Sequence, residues 1–186
     1  MNKDIERALI QQIREGNFLA YEKFIIEYQN RVYAFIFSLV KNRDDASDLC
    51  QETFFKAYKS IRSFKGESKF STWLFQIGYF QSLNYLKRKK KRVEIFKKIG
   101  PSIHTDRHGH DLEVKEMSRK IDLFMDEIPL KCKTALHLFF KEEKSYGEIS
   151  TIMKIPLNSV KSHIFRGKKE LRKKLSNDLD LNYLTE

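Results

Sequence analysis

The sequence predicts an all-α protein made of two small helical domains joined by a flexible linker. Three observations carry that expectation. Glycine and proline are scarce, 7 and 3 in 186 residues, and strand-like alternation is nearly absent. Apolar residues recur at helical spacing in both halves of the chain. Between the halves the rhythm is lost from Val93 to Val114, where Gly100-Pro101 and Gly109 interrupt the chain and no apolar stripe is sustained. The expected domains are therefore residues 1–92 and 115–186, with the linker at 93–114. Domains of this size have marginal cores, so each needs a dense apolar interior. The 15 Phe, 8 Tyr and single Trp can supply it.

Taken in order, Val32, Phe35, Ile36 and Leu39 fall at i, i+3, i+4, i+7, the buried stripe of a helix. Ala46, Leu49, Cys50, Thr53, Ala57, Tyr58 and Ile61 mark a second helix, from about Asp45 to Ile61, with Asp44 or Asp45 as its cap. A third long helix is expected from Phe70 to about Lys90. Beyond the linker, Ile121, Phe124, Met125 and Ile128 restart a helical face that Pro129 closes. Ser145-Tyr-Gly-Glu148 has the form of a capping box, in which the serine and glutamate side chains satisfy each other's backbone amides. It opens a short helix with Ile149, Ile152 and Met153 inward. Lys154-Ile-Pro-Leu157 breaks that helix, Asn158 or Ser159 can cap the next, and Val160, Ile164, Leu171 and Leu175 form its core seam.

Charge narrows the partners. The net charge is +11, from 36 Lys and Arg against 25 Asp and Glu. It divides as +8 over residues 1–92, −1 over 93–116 and +4 over 117–186. Two basic blocks on a tether suit two separate contacts with nucleic acid. The apolar runs are too short for a membrane span, and charged residues alternate with apolar ones from Lys3 onward, so no signal peptide is expected. Cys50 and Cys132 lie far apart without metal-ligand spacing, which reads as two buried thiols in a reducing, cytoplasmic setting.

Three surfaces stand out. On the last helix Ser162, Phe165, Arg166, Lys169 and Arg172 share a face opposite the core seam. A short helix, a tight turn and a second helix with a basic polar face form the layout of a major-groove reader. Arginine there can bond bidentately to guanine, while lysine mostly meets phosphate. Two positions depart from the usual pattern: Lys154 stands where such turns often use glycine, and Ser150 where a small apolar residue usually packs. The second surface is the outer face of the Asp45–Ile61 helix, with Asp48, Glu52, Phe55 and Lys59. An acidic strip with an outward phenylalanine, on an otherwise basic domain, suggests a protein partner, although spacing alone favours a partly buried Phe55 among ordinary carboxylates. The third runs from Phe64 to Trp73, a glycine-containing loop rich in Ser, Thr, Lys and aromatics. It feeds a helix that ends in six consecutive cations, Lys87-Arg-Lys-Lys-Lys-Arg92. Such a run grips phosphates, and small hydroxyl and aromatic residues beside it suit capture of an unstacked base. Trp73 reads as a packing anchor.

These segments resemble a known family. Asp44 to Tyr58 is similar to the polymerase-binding segment of sigma domain 2, with its D-A-x-D-L-x-Q-E-x-F pattern. Phe64 to Leu74 resembles the adjoining F-x-G-x-S-x-F-x-T-W-L segment. Ile128-Pro129 and Ser145 to Leu175 resemble sigma domain 4, most closely in I-P-x-x-[ST]-V-K-S-x-x-x-R at Ile155 to Arg166. The chain is thus identified as a member of the extracytoplasmic-function (ECF) sigma factors of the sigma-70 family. The resemblance implies a non-enzymatic adaptor that takes RNA polymerase core to promoter DNA and assists −10 melting, without a cofactor or small-molecule substrate. It implies polymerase contacts by Asp48, Gln51, Glu52 and Phe55. It implies −10 contacts by Ser68, Lys69, Phe70, Ser71, Thr72, Asn84, Lys87, Arg88, Lys89, Lys90 and Lys91. The −35 contacts would come from Ser159, Lys161, Ser162, Phe165, Arg166 and Lys169. An anti-sigma factor, often membrane-anchored, is a further implied partner. Gly78, Gln81 and Asn84 stand where the family frequently has alanine, asparagine and aspartate.

Two rival classes compete. A small basic nuclease would need clustered metal ligands, and the sole grouping is His104, His108 and His110 with Asp106 and Asp111, inside the linker, where solvated histidines and no metal are expected. A DNA-binding regulator acting without polymerase would explain the C-terminal block but leave the acidic strip and the Trp73 segment unused.

Overall fold

The computed structural model describes residues 3–99 and 123–183, all of whose regular elements are helical. They are α1 (Lys3–Arg14), α2 (Phe18–Val40), α3 (Arg43–Lys59), a 3-10 turn at Ile61–Ser63, α4 (Phe70–Ile99), α5 (123–127), α6 (Leu130–Phe140), α7 (Tyr146–Met153) and α8 (Leu157–Tyr183). The chain divides into two compact units, the first holding α1–α4 and the second the bulk of α5–α8.

In the first unit, the expected stripe is buried throughout: Val32, Phe35 and Ile36 are 0 % exposed and Leu39 is 4 % exposed. Ala46, Leu49, Cys50, Thr53 and Ala57 of α3 face the same interior, and Tyr58 is half-buried. Aromatic rings fill the centre. Phe24 lies 4.2 Å from Phe70, Phe35 5.2 Å from Phe75, and Trp73 packs at 5.1 Å on Phe64. Burying one such side chain contributes about 1.5–3 kcal/mol, so a few rings stabilise a small domain substantially. The Tyr21 hydroxyl donates to the Phe54 carbonyl at 2.5 Å inside this core. Burial pushes that phenol well above its ordinary range.

Helix ends follow local chemistry, with two corrections to the sequence reading. The cap of α3 is Asn42, whose side chain accepts from the Asp45 N–H at 2.9 Å. Asp44 and Asp45, the expected caps, sit instead in the first turn, where their charge complements the helix dipole. The expected end of α4 near Lys90 is also passed, because the helix continues to Ile99. Its cationic tail consists of good helix formers, and Lys90 pairs with Glu94 one turn on, at 3.9 Å. The rest of the expected linker, and its histidines, lie outside the described residues.

In the second unit, α6 and α8 pack face to face. Cys132, Ala135, Leu136 and Leu138 of α6 are buried, as are Val160 and Ile164 of α8; Leu171 and Leu175 are half-buried. At the crossing stands Gly167, where an added Cβ would meet Leu136 Cδ1 at 2.7 Å and Cys132 Cβ at 3.4 Å. The ammonium of Lys133 is drawn in and bonded to Asp126 at 2.9 Å.

Two helices go beyond the sequence expectations. Helix α1 buries Glu6, Leu9, Ile10 and Ile13 at helical spacing, and α6 follows Pro129 directly. Among the described residues no helix is long and apolar enough to cross a membrane.

Candidate nucleic-acid interface

The α7–turn–α8 segment is built as a helix-turn-helix. Its capping box is complete: Ser145 Oγ accepts the Glu148 N–H at 3.2 Å, and Glu148 Oε2 accepts the Ser145 N–H at 2.9 Å. Lys154 ends α7 in the left-handed region at φ 51°, ψ 49°. Such a conformation costs a non-glycine residue about 1–2 kcal/mol. Ser150 offsets part of that cost. Its carbonyl accepts the Ile155 N–H at 3.2 Å, and its hydroxyl donates to the Ile155 carbonyl at 2.6 Å, closing the turn from both sides. The polar residue at this position therefore fastens the turn rather than weakening the packing.

Helix α8 begins earlier than Asn158 or Ser159 would allow as caps. Both lie within its first turn, and the Ser159 and Val160 amides donate to the Pro156 carbonyl. Proline just before the helix, with its fixed φ, pre-sets the geometry of the first turn. Lys161, Ser162, Phe165, Arg166 and Lys169 are all exposed, with Phe165 at 69 %, while Ser159 is half-buried at the start of the helix. The Ser162 hydroxyl donates back to the Asn158 carbonyl at 2.9 Å, which leaves its lone pairs outward. An exposed phenylalanine between a serine and an arginine is a surface for base edges and methyl groups. Behind this face His163 Nδ1 lies 3.6 Å from Cys132 Sγ. Burial, then Lys131 and Arg166, lowers the His163 pKa below its ordinary value.

In the first unit, the acidic strip is displayed as a surface. Asp48, Gln51, Glu52 and Phe55 are exposed, Phe55 at 60 %. The alternative of a partly buried Phe55 is excluded. Lys59 lies over the Phe55 ring at 4.2 Å, and Gln81 of α4 donates to Glu52 Oε2 at 3.3 Å. These contacts hold the strip's two larger side chains in place.

The loop and the basic tail divide differently from the expectation. Phe70, Ser71 and Thr72 are 0 %, 5 % and 0 % exposed. They form the first turn of α4 and face the core in the free chain, so the accessible part of the expected −10 group is the loop before them. The exposed portion of the segment is 65–69, with Gly66 at φ +74° and Ser68 half-exposed. Asn84, Lys87, Arg88, Lys90 and Lys91 are exposed. Lys89 is partly withdrawn, 3.6 Å from Asp45 and 5.4 Å from the Tyr85 ring centroid. Tyr85 itself donates to Asp45. Gly78 is buried against Ile36 and Thr53, where α4 passes between its neighbours.

The family model for Sigma-70 region 2 matches residues 24–92, and that for Sigma-70 region 4 matches 118–171. The ECF RNA polymerase sigma-E factor of Haemophilus influenzae is 32 % identical over 180 residues, covering 91 % of this chain and 95 % of that protein. The chain belongs to the ECF sigma factors. The ECF RNA polymerase sigma factor SigM of Bacillus subtilis is 35 % identical over 148 residues, covering 78 % of this chain and 88 % of its own. Among solved structures, the sigma factor RpoE of Bartonella quintana, in complex with the anti-sigma factor NepR, superposes with a TM-score of 0.70 at 21 % identity. That match covers 84 % of this chain and 96 % of the other, and shows a shared fold. Region 2 of this sigma factor thus carries the acidic strip, the loop and the basic tail, and region 4 carries the helix-turn-helix.

Proposed function

We propose a division of labour by which this ECF sigma factor directs core RNA polymerase to its promoters. The strip of Asp48, Gln51, Glu52 and Phe55 docks on the polymerase. The exposed loop 65–69, through Ser68 and Lys69, meets the melted −10 strand, and Asn84, Lys87, Arg88, Lys90 and Lys91 hold its phosphates. The α8 face of Lys161, Ser162, Phe165, Arg166 and Lys169 reads the −35 element in the major groove. The factor contributes binding and no catalysis of its own.

The observation that carries this reading is the acidic strip: two carboxylates and an exposed phenylalanine grouped on one face of α3, in a block of net charge +8. DNA would be repelled by such a surface, and a protein with a basic, apolar groove would accept it. The sigma factor RpoE of Bartonella quintana, which shares this fold, is solved with an anti-sigma factor bound. By analogy an anti-sigma factor covers the DNA surfaces of this chain until induction.

Gel filtration with core polymerase tests the docking. Asp48→Lys with Glu52→Lys should abolish co-elution while circular dichroism stays unchanged, because like charges across an interface cost several kcal/mol. Co-elution at wild-type affinity would overturn the assignment. Tight promoter binding by the chain alone would favour a regulator that works without polymerase.

A further inference from the structure

Helix α4 starts at Phe70, directly after Lys69. A lysine side chain cannot accept a hydrogen bond, so the residue in the capping position cannot satisfy the first amides. The acceptor comes from α1. Glu6 Oε1 accepts the Phe70 N–H at 2.9 Å in a buried setting. Its carboxylate thereby stands at the positive end of a 30-residue helix. Two turns further along α1, the Arg14 guanidinium donates to the Phe64 carbonyl. Phe64 and Phe70 bracket the exposed loop, and their rings meet edge to face at 6.0 Å beneath it. Both ends of the loop are thus tied to one helix by charge-assisted hydrogen bonds, while its middle stays exposed and turns at Gly66.

We propose that α1 is the positioning element of the promoter-facing loop, with Glu6 and Arg14 as its two positioning residues. They fix the separation and direction of the loop ends, so Ser68 and Lys69 meet an unstacked base without first having to be ordered. The inference rests on the reading that loop 65–69 meets the −10 strand.

The test uses holoenzyme reconstituted from the full chain and core polymerase. Its ligand is a single-stranded −10 non-template oligonucleotide from a promoter identified by run-off transcription. Glu6→Leu and Arg14→Met should each lower oligonucleotide affinity roughly tenfold, the order expected for losing a charge-assisted hydrogen bond. Core association and affinity for a −35 duplex should stay at wild-type values. Glu6→Gln keeps an amide oxygen able to accept from Phe70 and should retain most of the affinity. Unchanged affinity in both variants overturns the inference, as does a loss that merely parallels weaker core association. Ser68→Ala with Lys69→Ala separates the two layers of the argument. If that pair leaves affinity unchanged, the loop does not meet the strand and both readings fall. If it weakens binding while the α1 variants do not, only the role of α1 is lost.

Discussion

Lys89 Nζ lies 3.6 Å from Asp45 Oδ2, so one of the six consecutive cations of α4 is engaged by α3 and only partly offered to solvent. Tyr85 completes the group, and its hydrogen bond, followed by Asp45, holds the Lys89 ammonium above its ordinary pKa. The run is therefore not a uniform phosphate grip. Lys91→Ala should lower the salt dependence of promoter binding by about 0.7–0.9 in the log–log slope. Lys89→Ala should change the slope less and should also destabilise the fold, by at most about 0.2–1 kcal/mol because the pair is partly exposed. Filter binding at several salt concentrations, with urea unfolding of the same proteins, distinguishes them. Equal slopes for the two variants would show that Lys89 leaves Asp45 for DNA.

Arg166 stands exposed one turn from Ser162 on the outer face of α8. Arg166→Ala should relax preference at one base of the −35 element, at a cost of about 1–3 kcal/mol. Transcription from a promoter library reads this directly. A uniform loss across all sequences would reassign Arg166 to phosphate.

Gly167 of α8 packs against Leu136 and Cys132 of α6. In Gly167→Ala the new methyl would sit 2.7 Å from Leu136 Cδ1. Overpacking of this kind typically costs about 1–3 kcal/mol, against a gain of about 1 kcal/mol in helix propensity. Net destabilisation of about 1 kcal/mol is expected in urea unfolding, with Leu136→Val restoring part of it. A more stable Gly167→Ala protein would show that Leu136 moves aside freely.

Much of this architecture was legible in the sequence, for reasons that differ by element. The stripe from Val32 to Leu39 and the Ser145–Glu148 capping box were readable because their signals are local: periodicity and a four-residue pattern. The outward Phe55 was readable as one of two alternatives, and its 60 % exposure decides between them. The burial of Phe70, Ser71 and Thr72 was not readable, because hydroxyl side chains in the first turn of a helix carry no sequence sign of whether they face the core or the solvent. The capping of α4 by Glu6 was hidden for another reason, since its donor and acceptor lie 64 residues apart. One clue existed: no capping residue stands at Lys69. The close packing at Gly167 is hidden too, since a glycine within a helix carries no sequence sign of what it touches.

His163 gives region 4 a pH dependence of predictable sign. Its folded pKa is depressed below the ordinary 6.5, chiefly by burial. The unfolded chain therefore binds the proton more readily, and stability is present above pH 6.5 and falls as pH drops toward the folded value. Urea unfolding of the full chain between neutral and mildly acidic pH should show this decline, and His163→Gln should reduce it. An unchanged pH slope in the variant would assign the decline to other groups.

Reconstituted run-off transcription tests the central claim most directly, with purified chain, core polymerase and genomic fragments from the cells of origin. The wild-type chain should yield discrete transcripts that core enzyme alone does not make, and Asp48→Lys with Glu52→Lys should eliminate them. No transcripts above core enzyme alone, with tight duplex binding by the isolated chain, would contradict the account.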